Sequence, residues 1–241
     1  MNAILKLLFA PKAICMGCGS LMGSDENWLC EECSAKILEL KCLHNKQAAV
    51  CVRCGDEAPD GICRRCARKV SVRTALSAYP YKPPVKQLVA NFKFKSVYAM
   101  DKWMAAEMAE AYLLSEHPEC DLIVPVPLHK SRLRERGYNQ SEKLAKQLSK
   151  QLGIEFSDAL RRVRRTKQQA VLTARQRLTN LDNAFACAKN VLDKSVLLID
   201  DVRTTGTTCA KCARTLIEAG AKEVTLLTLA SAQSFDTDSD A

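Results

Sequence analysis

The order of apolar and polar positions from about residue 70 onwards is typical of an α/β protein. Runs of apolar β-forming residues predict strands over 74–79, 121–127, 196–199 and 223–229. Apolar residues at helical spacing predict helices over 85–92, 98–114, 141–152 and 209–219. The four consecutive apolar residues at 196–199 indicate a strand that is buried on both faces. The pattern therefore predicts an open parallel sheet flanked by helices.

Two carboxylates and a hydroxyl-rich loop follow the strand at 196–199. Asp200 and Asp201 come first, and the loop consists of Thr204, Thr205, Gly206, Thr207 and Thr208. The glycine allows a turn that a Cβ would oppose, so successive N–H groups can surround a phosphate at the N-terminus of the next helix. The carboxylates would repel a phosphate, but they suit sugar hydroxyls or a hard cation such as Mg²⁺. These features predict a ribose 5-phosphate site; the alternative is an ordinary strand–turn–helix with solvated acids.

The residues after the strand at 121–127 are strongly basic. Lys130, Arg132, Arg134 and Arg136 lie close together, and Gly137 follows them. Arginine side chains match phosphate oxygens with two parallel hydrogen bonds. Loops at the carboxyl ends of neighbouring parallel strands meet in one crevice, so this basic loop can face the threonine-rich loop. We expect one loop to hold pyrophosphate and the other ribose 5-phosphate; the alternative is a surface run of charge.

Eight of the 13 cysteines form four Cys-x-x-Cys pairs near the N-terminus. The pairs are Cys15/Cys18, Cys30/Cys33, Cys51/Cys54 and Cys63/Cys66. This spacing lets both thiolates of a pair face one metal, and two pairs complete a tetrahedral Zn²⁺ site. We therefore predict two structural zinc ions within residues 1–70. Sequential pairing needs shorter loops than interleaved pairing and is preferred. A disulfide framework is the alternative, which the predicted cytoplasmic location disfavours. Cys42, Cys120 and Cys187 are isolated and predicted to be structural, and Cys209 and Cys212 to be packing residues on a helix.

Composition adds a preference for anionic partners. The net charge is +9, from 36 basic and 27 acidic residues, which favours phosphates, nucleotides or nucleic acid without choosing among them. We find no apolar run of the length of a membrane span. Residues 1–9 weakly resemble a signal peptide, but their apolar part is short and lacks a small-residue cleavage pattern, so we expect them to form a helix packed on the domain behind them. A cytoplasmic protein with a polar tail at 234–241 is predicted.

The motifs together resemble the ComF family. They are Pro-Val-Pro-Leu-His at 125–129, Arg-Gly-Tyr-Asn-Gln at 136–140, Asp-Asp-Val-x-Thr-Thr-Gly-x-Thr at 200–208 and the leading double zinc ribbon. The last motif is similar to the phosphoribosyl-pyrophosphate (PRPP) motif of type I phosphoribosyltransferases. The resemblance implies a double zinc ribbon over 1–70 and a type I phosphoribosyltransferase-like domain over 71–233. It also implies a link to competence for DNA uptake, with uptake proteins as partners, and to nucleoside metabolism.

The same resemblance implies roles for the candidate residues. Asp200 and Asp201 would hold the 2- and 3-hydroxyls of PRPP, with Mg²⁺ accompanying the ligand, and residues 204–208 would hold its 5-phosphate. Pyrophosphate would contact His129, Lys130, Arg132 and Arg136, with Asn139 as a further candidate. The basic run Arg161-Arg162-Val163-Arg164-Arg165-Thr166-Lys167 would begin a hood over PRPP, or else track a single-stranded DNA backbone.

Three functions remain open at this stage. The first is transfer of phosphoribose from PRPP to an unknown acceptor with release of pyrophosphate. The second is PRPP-responsive handling of single-stranded DNA without catalysis, and the third is regulation by PRPP. Purine salvage is not expected, because Val202, Arg203 and Thr204 stand where enzymes of that class carry an acid. The sequence assigns no catalytic side chain and no acceptor pocket.

Overall fold

A computed structural model of the protein describes residues 14–22, 28–46, 72, 74–94, 100–115, 119–163 and 184–232. The helices are α1 (Glu31–Lys46), α2 (Val85–Phe94), α3 (Met100–Leu113), α4 (Lys130–Arg136), α5 (Gln140–Leu152) and α6 (Thr207–Glu218). The strands are β1 (Thr74–Pro80), β2 (Leu122–Pro125), β3 (Glu155–Phe156), β4 (Leu160–Arg162), β5 (Phe185–Cys187), β6 (Ser195–Arg203) and β7 (Glu223–Ser231). None of the helices in these ranges combines the length and apolar character needed to cross a membrane.

A parallel sheet organises the described part of the chain. Its strand order is β1-β7-β6-β2-β3, and every neighbouring pair is parallel. Strands β4 and β5 form a separate antiparallel ribbon. The central position of β6 explains its continuous apolar sequence, because helices cover both faces of the sheet. The predicted α/β fold class with a parallel sheet is therefore confirmed.

Alternate residues of β6 pack into two cores on opposite sides of the sheet. Val196 and Leu198 contribute to a core with helix α6, whereas Leu197 and Ile199 contribute to a core with α2, α3 and α5. All four are fully buried. This alternation follows from the two-residue period of a strand, and it fixes which face each following carboxylate of β6 can reach.

Two boundaries near the predicted site differ from the sequence-based expectation. Strand β6 continues through both aspartates to Arg203, because β7 extends beside it and Val202 pairs with Ala230. The basic loop contains the short helix α4, which begins at His129 as its N-cap and ends at Gly137 in a left-handed conformation. The acids therefore lie within a strand rather than after it, and their backbone is held by the sheet.

Helix α1 joins the cysteine-rich region to the sheet domain. Lys41 of α1 makes ion pairs with Glu107 at 2.8 Å and Glu110 at 2.6 Å on α3. The hydroxyl of Tyr79 donates to the same Glu107 at 2.6 Å. Trp28 packs edge-on against Trp103 with ring centroids 5.0 Å apart. These contacts fix the first cysteine cluster, which consists of Cys15, Cys18, Cys30 and Cys33, against helix α3.

Several sequence predictions lie outside the described residues. They are the helix at residues 1–9, the second cysteine cluster at 51–66, the basic residues from 164 onwards, the domain boundaries near 70 and 233, and the polar tail.

Candidate functional site

The acid pair lies near the carboxyl end of strand β6, and each of its four carboxylate oxygens has a polar contact. Asp200 Oδ1 accepts from the Ser141 hydroxyl at 2.8 Å and from the backbone N–H of Asp201 at 2.9 Å. The thiol of Cys209 lies 3.5 Å from the other oxygen, Asp200 Oδ2. Asp201 is only 8% exposed, and its Oδ1 accepts from the backbone N–H of Val202 at 2.8 Å. The remaining oxygen, Asp201 Oδ2, lies 2.9 Å from the ammonium of Lys93.

The two carboxylates influence each other electrostatically. Burial, followed by the neighbouring charge of Asp201, raises the pKa of Asp200 to about 7. The hydrogen bond from Ser141, the Asp201 amide and the charge of Lys93 act in the opposite direction. Asp200 therefore accepts a proton more readily than an ordinary aspartate, as expected where two acids share one site.

The threonine-rich loop forms the N-terminus of helix α6. Gly206 is its N-cap with a φ of 69°, a left-handed conformation that residues with a Cβ adopt at a cost. Gly206 has no side chain that could accept a hydrogen bond, so the cap itself occupies none of the N–H groups of the first turn of α6. The hydroxyls of Thr205 and Thr207 lie 3.0 Å apart at this position. Asp200, Arg203 and the loop line one small pocket.

The basic loop follows β2, and β2 is the neighbour of β6 in the parallel sheet, so the loop lies at the same edge as the acid pair. His129 Nδ1 accepts from the backbone N–H of Ser131 at 3.2 Å, and thus caps helix α4. Lys130 is exposed and Arg132 is half-buried. Arg136 Nη1 donates to Gln140 Oε1 at 3.1 Å. The structure therefore brings the predicted cations to the same edge of the sheet as the acids.

The Arg-Gly-Tyr-Asn-Gln motif includes three side chains that bind backbone groups. Asn139 Nδ2 donates to the carbonyl of Val126 at 3.0 Å, and its Oδ1 caps helix α5. The Tyr138 hydroxyl donates to the carbonyl of Phe92. Gln140 Nε2 donates to the carbonyl of Lys93 at 3.4 Å. These bonds fasten the C-terminal turn of α2 beside the site.

Three residues of the site were missed by sequence reasoning. Lys93, Ser141 and Cys209 contact the acid pair from α2, α5 and α6 respectively. The one available signal was the position of Ser141 in the first helical turn after Asn139. A single lysine at the end of an amphipathic helix is normally solvated, so Lys93 carried no distinguishing signal.

The first cysteine cluster is compatible with a metal ion such as zinc. The thiol sulfurs of Cys15, Cys18, Cys30 and Cys33 all lie within 4.8 Å of one another. Cys15 Sγ accepts from the backbone N–H groups of Gly17 at 3.4 Å and Cys30 at 3.3 Å. Burial raises the pKa of Cys15, but these bonds outweigh it and lower the pKa to about 6. Donors aimed at a thiolate fit a metal ligand, and the grouping agrees with sequential pairing.

The raised pKa of Asp200 predicts how stability depends on pH. The pKa of Asp200 is about 7 in the folded protein, against an ordinary value of 3.8. Its negative charge therefore destabilises the fold increasingly as the pH rises above 3.8, and the destabilisation is complete above about pH 7. Asp200→Asn keeps an oxygen for Ser141 and removes the charge. We expect this variant to be more stable than the wild type by roughly 2–4 kcal/mol above pH 7, with no gain below pH 4. Urea unfolding across this pH range measures the difference.

Asp158→Asn is the matched control for that experiment. A hydrogen bond from Lys189 lowers the pKa of Asp158, so its charge stabilises the fold above pH 4. This control should lose a little stability at neutral pH instead of gaining it. A wild-type advantage over Asp200→Asn at pH 8 would contradict the prediction.

Comparison with known proteins places the chain among its relatives. A family model described as "Phosphoribosyl transferase domain" matches residues 139–240. The chain is 32% identical to "Competence protein F" of Haemophilus influenzae over 90% of this chain and 96% of that protein. It is 33% identical to "DNA utilization protein YhgH" of Escherichia coli over 81% of this chain and 87% of that protein.

A more distant likeness exists among solved structures. The structure of the allosteric regulatory enzyme of purine biosynthesis gives a TM-score of 0.40 at 18% identity, over 58% of this chain and 30% of that one. This likeness is too low to bear on the site. The identity to the curated relatives, in contrast, extends over most of each chain. The protein therefore belongs to the ComF family, which includes competence protein F and the DNA utilization protein YhgH.

Proposed function

We propose that the protein binds PRPP at the carboxyl edge of its sheet and transfers the phosphoribosyl group to an unknown acceptor in DNA uptake or use. The observation that carries this proposal is the meeting of three features at one edge. These are the acid pair of β6, the glycine-capped N-terminus of α6 and the basic residues after β2. The phosphoribosyltransferase domain and the names of the relatives support the same assignment.

In this proposal each end of the ligand meets groups of opposite character. The 5-phosphate lies against the N–H groups and hydroxyls of residues 204–208, where the helix dipole favours negative charge. The ribose 2- and 3-hydroxyls donate to Asp200 and Asp201, whose oxygens have lone pairs to spare. Pyrophosphate is assigned to His129, Lys130, Arg132 and Arg136. Asn139 is left out, because both ends of its amide already bind backbone groups.

The expected reaction is displacement of pyrophosphate at the anomeric carbon by a nucleophile. Bound Mg²⁺ would neutralise charge that develops on the departing pyrophosphate, and the carboxylates of the acid pair fit a ligand that carries this cation. The residues of this chain hold both ends of the ligand while the bond at the anomeric carbon breaks. No side chain needs to form a covalent bond with the ligand.

The acceptor is not expected to be a purine base. Arg203 follows the acid pair with its guanidinium buried, and Nη2 donates to the Ser231 hydroxyl at 2.8 Å. An arginine has no carboxylate that could accept a hydrogen bond from a purine, and this one is bound to β7. We also propose a cytoplasmic location, a division near residue 70 and a second zinc ion at Cys51, Cys54, Cys63 and Cys66.

Two measurements test the proposed function in sequence. Calorimetric titration of PRPP with Mg²⁺ into the wild type should show binding, with free ribose 5-phosphate and pyrophosphate as competitors. A screen of nitrogen-containing acceptors should then reveal pyrophosphate release with at least one of them. Absence of PRPP binding would refute the proposal. Binding without release on any acceptor would favour a PRPP-responsive regulatory role.

Handling of single-stranded DNA is a second candidate, favoured by the basic residues of β4. Arg161 is exposed on this strand, and Arg162 stacks its guanidinium over Phe185 at 5.5 Å. Replacing Arg161, Arg162, Arg164 and Arg165 with alanine should weaken DNA binding and flatten its salt dependence. A plot of log affinity against log salt concentration has a negative slope, and each lost phosphate contact makes that slope less steep by about 0.7. An unchanged slope in filter-binding assays would remove this run from any DNA interface.

A further inference from the structure

Lys93 is the cation closest to the acid pair in the described part of the chain. Its ammonium lies 2.9 Å from Asp201 Oδ2, and 23% of its side chain is exposed. That carboxylate oxygen is buried from solvent. No hydrogen bond to this oxygen is formed within the described residues, so its contact with the Lys93 ammonium is an ion pair.

The backbone around Lys93 is held independently of this ion pair. Lys93 lies in the last turn of α2, and the motif after α4 binds the carbonyls of Phe92 and Lys93 through Tyr138 and Gln140. On the same helix, Asn91 Nδ2 donates to the carbonyl of Met16 in the first cysteine cluster at 2.8 Å. The side chain of Lys93 thus extends from a fixed turn and can leave Asp201 without disturbing the helix.

The other contacts of the acid pair come from neutral groups. Asp200 accepts from Ser141, Cys209 and a backbone N–H, and Asp201 Oδ1 accepts from the backbone of Val202. Of the ion pairs in the described ranges, the one with Lys93 alone brings a positive charge to this pair. Lys93 therefore stands where a divalent cation or a ligand hydroxyl would approach Asp201 Oδ2.

We infer that Lys93 is a built-in counter-ion that occupies the cation position of the acid pair until ligand arrives. Two adjacent carboxylates attract a hard divalent ion. The single positive charge of Lys93, carried on a long flexible side chain, neutralises Asp201 and so weakens this attraction. The free protein consequently holds divalent cations weakly, and the metal enters together with its phosphorylated ligand. The identity of that ligand rests on the proposed function, but the counter-ion role does not.

Manganese alone, without any phosphate compound, tests this inference. Lys93→Met keeps the length of the side chain and removes its charge. We expect this variant to bind Mn²⁺ about tenfold more tightly than the wild type in electron paramagnetic resonance titrations, because a positive charge no longer competes for Asp201. Lys93→Arg should retain weak binding. Lys86→Met, an exposed position on the same helix, should behave as the wild type.

A double variant shows whether the gain arises at the acid pair. Adding Asp201→Asn to Lys93→Met should abolish the increase in Mn²⁺ affinity. Unchanged Mn²⁺ affinity in Lys93→Met, or a gain that survives Asp201→Asn, would overturn the inference. Should Lys93→Met fail to fold by circular dichroism, Lys93→Gln provides the same test, since its amide can still donate to Asp201.

The same samples separate this inference from the proposed function. A wild type that binds no PRPP, together with a tenfold Mn²⁺ gain in Lys93→Met, would remove the PRPP assignment and keep the counter-ion. A wild type that binds PRPP, together with unchanged Mn²⁺ affinity in Lys93→Met, would keep the PRPP assignment and remove the counter-ion role.

Discussion

Replacing Gly206 with valine is expected to reduce affinity for PRPP by roughly 100-fold or more while the sheet stays folded. The φ of 69° at this position is strained for any residue with a Cβ, and most strained for a β-branched one. The valine can relieve the strain by changing the loop conformation, which turns the N–H groups away from the phosphate. Calorimetry with PRPP and Mg²⁺, with circular dichroism as the folding control, measures the loss.

Two companion variants make the Gly206 experiment specific. Gly206→Asn should retain much of the affinity, because asparagine tolerates the left-handed conformation better than other residues with a Cβ. A Cβ at position 206 would lie 3.9 Å from the Arg203 side chain, which is an ordinary van der Waals distance. Steric crowding therefore does not explain a loss of PRPP affinity in either Gly206 variant. Asp201→Asn should cost about 10- to 150-fold through its lost charge. Equal affinity in the wild type and all three variants would move the ligand site elsewhere.

Loss of zinc from the first cysteine cluster is the second large effect that we expect. Protein purified without added zinc should contain two ions per chain. Cys33→Ser should release the first and unfold the knuckle, because structural zinc contributes about 10–16 kcal/mol to the folding of small domains. Cys33 is buried, and its sulfur lies 2.8 Å from where a Cβ on Gly17 would stand. Metal analysis and hydrogen exchange of residues 14–33 measure both changes.

The control for zinc loss is Cys187→Ser, which alters a half-buried cysteine on β5, away from the cluster. This variant should keep both ions. The sheet of Cys33→Ser should also stay folded, since its core consists of apolar side chains on both faces. Wild-type protein without zinc, or a Cys33→Ser protein that retains two ions, would contradict the metal assignment.

The central strands and the loop after them were predictable because their signals are local. The signal lies within residues 196–206, which contain the four consecutive apolar residues of β6, the two aspartates and Gly206. Helix α1 was missed, because its apolar residues are not confined to one face: Ile37 is buried, whereas the adjacent Leu38 is exposed. Strands β3, β4 and β5 have only two or three residues each, which is too short for a periodic pattern.

The partners of the acid pair could not be predicted, because they reach it through tertiary packing. Lys93 and Ser141 belong to helices distant in sequence from β6, and a single lysine or serine on a helix has no distinctive pattern. The role of Asn139 illustrates the opposite case. It lies in a recognisable motif, yet both ends of its amide bind the backbone and serve the loop rather than a ligand.

The strand order also constrains how the protein can fold during synthesis. Strand β1 lies at the edge of the sheet and pairs there with β7, so Thr74 cannot form its pair until Thr225 has left the ribosome. The central strand β6 and its neighbour β7 come after the other three strands of the sheet in the sequence. The cysteines of the first cluster, in contrast, are close neighbours in sequence and can bind metal early. The proposed zinc knuckle can therefore form while the apolar strands of the sheet are still exposed, and we expect the nascent chain to depend most on chaperones until β6 and β7 have both been made.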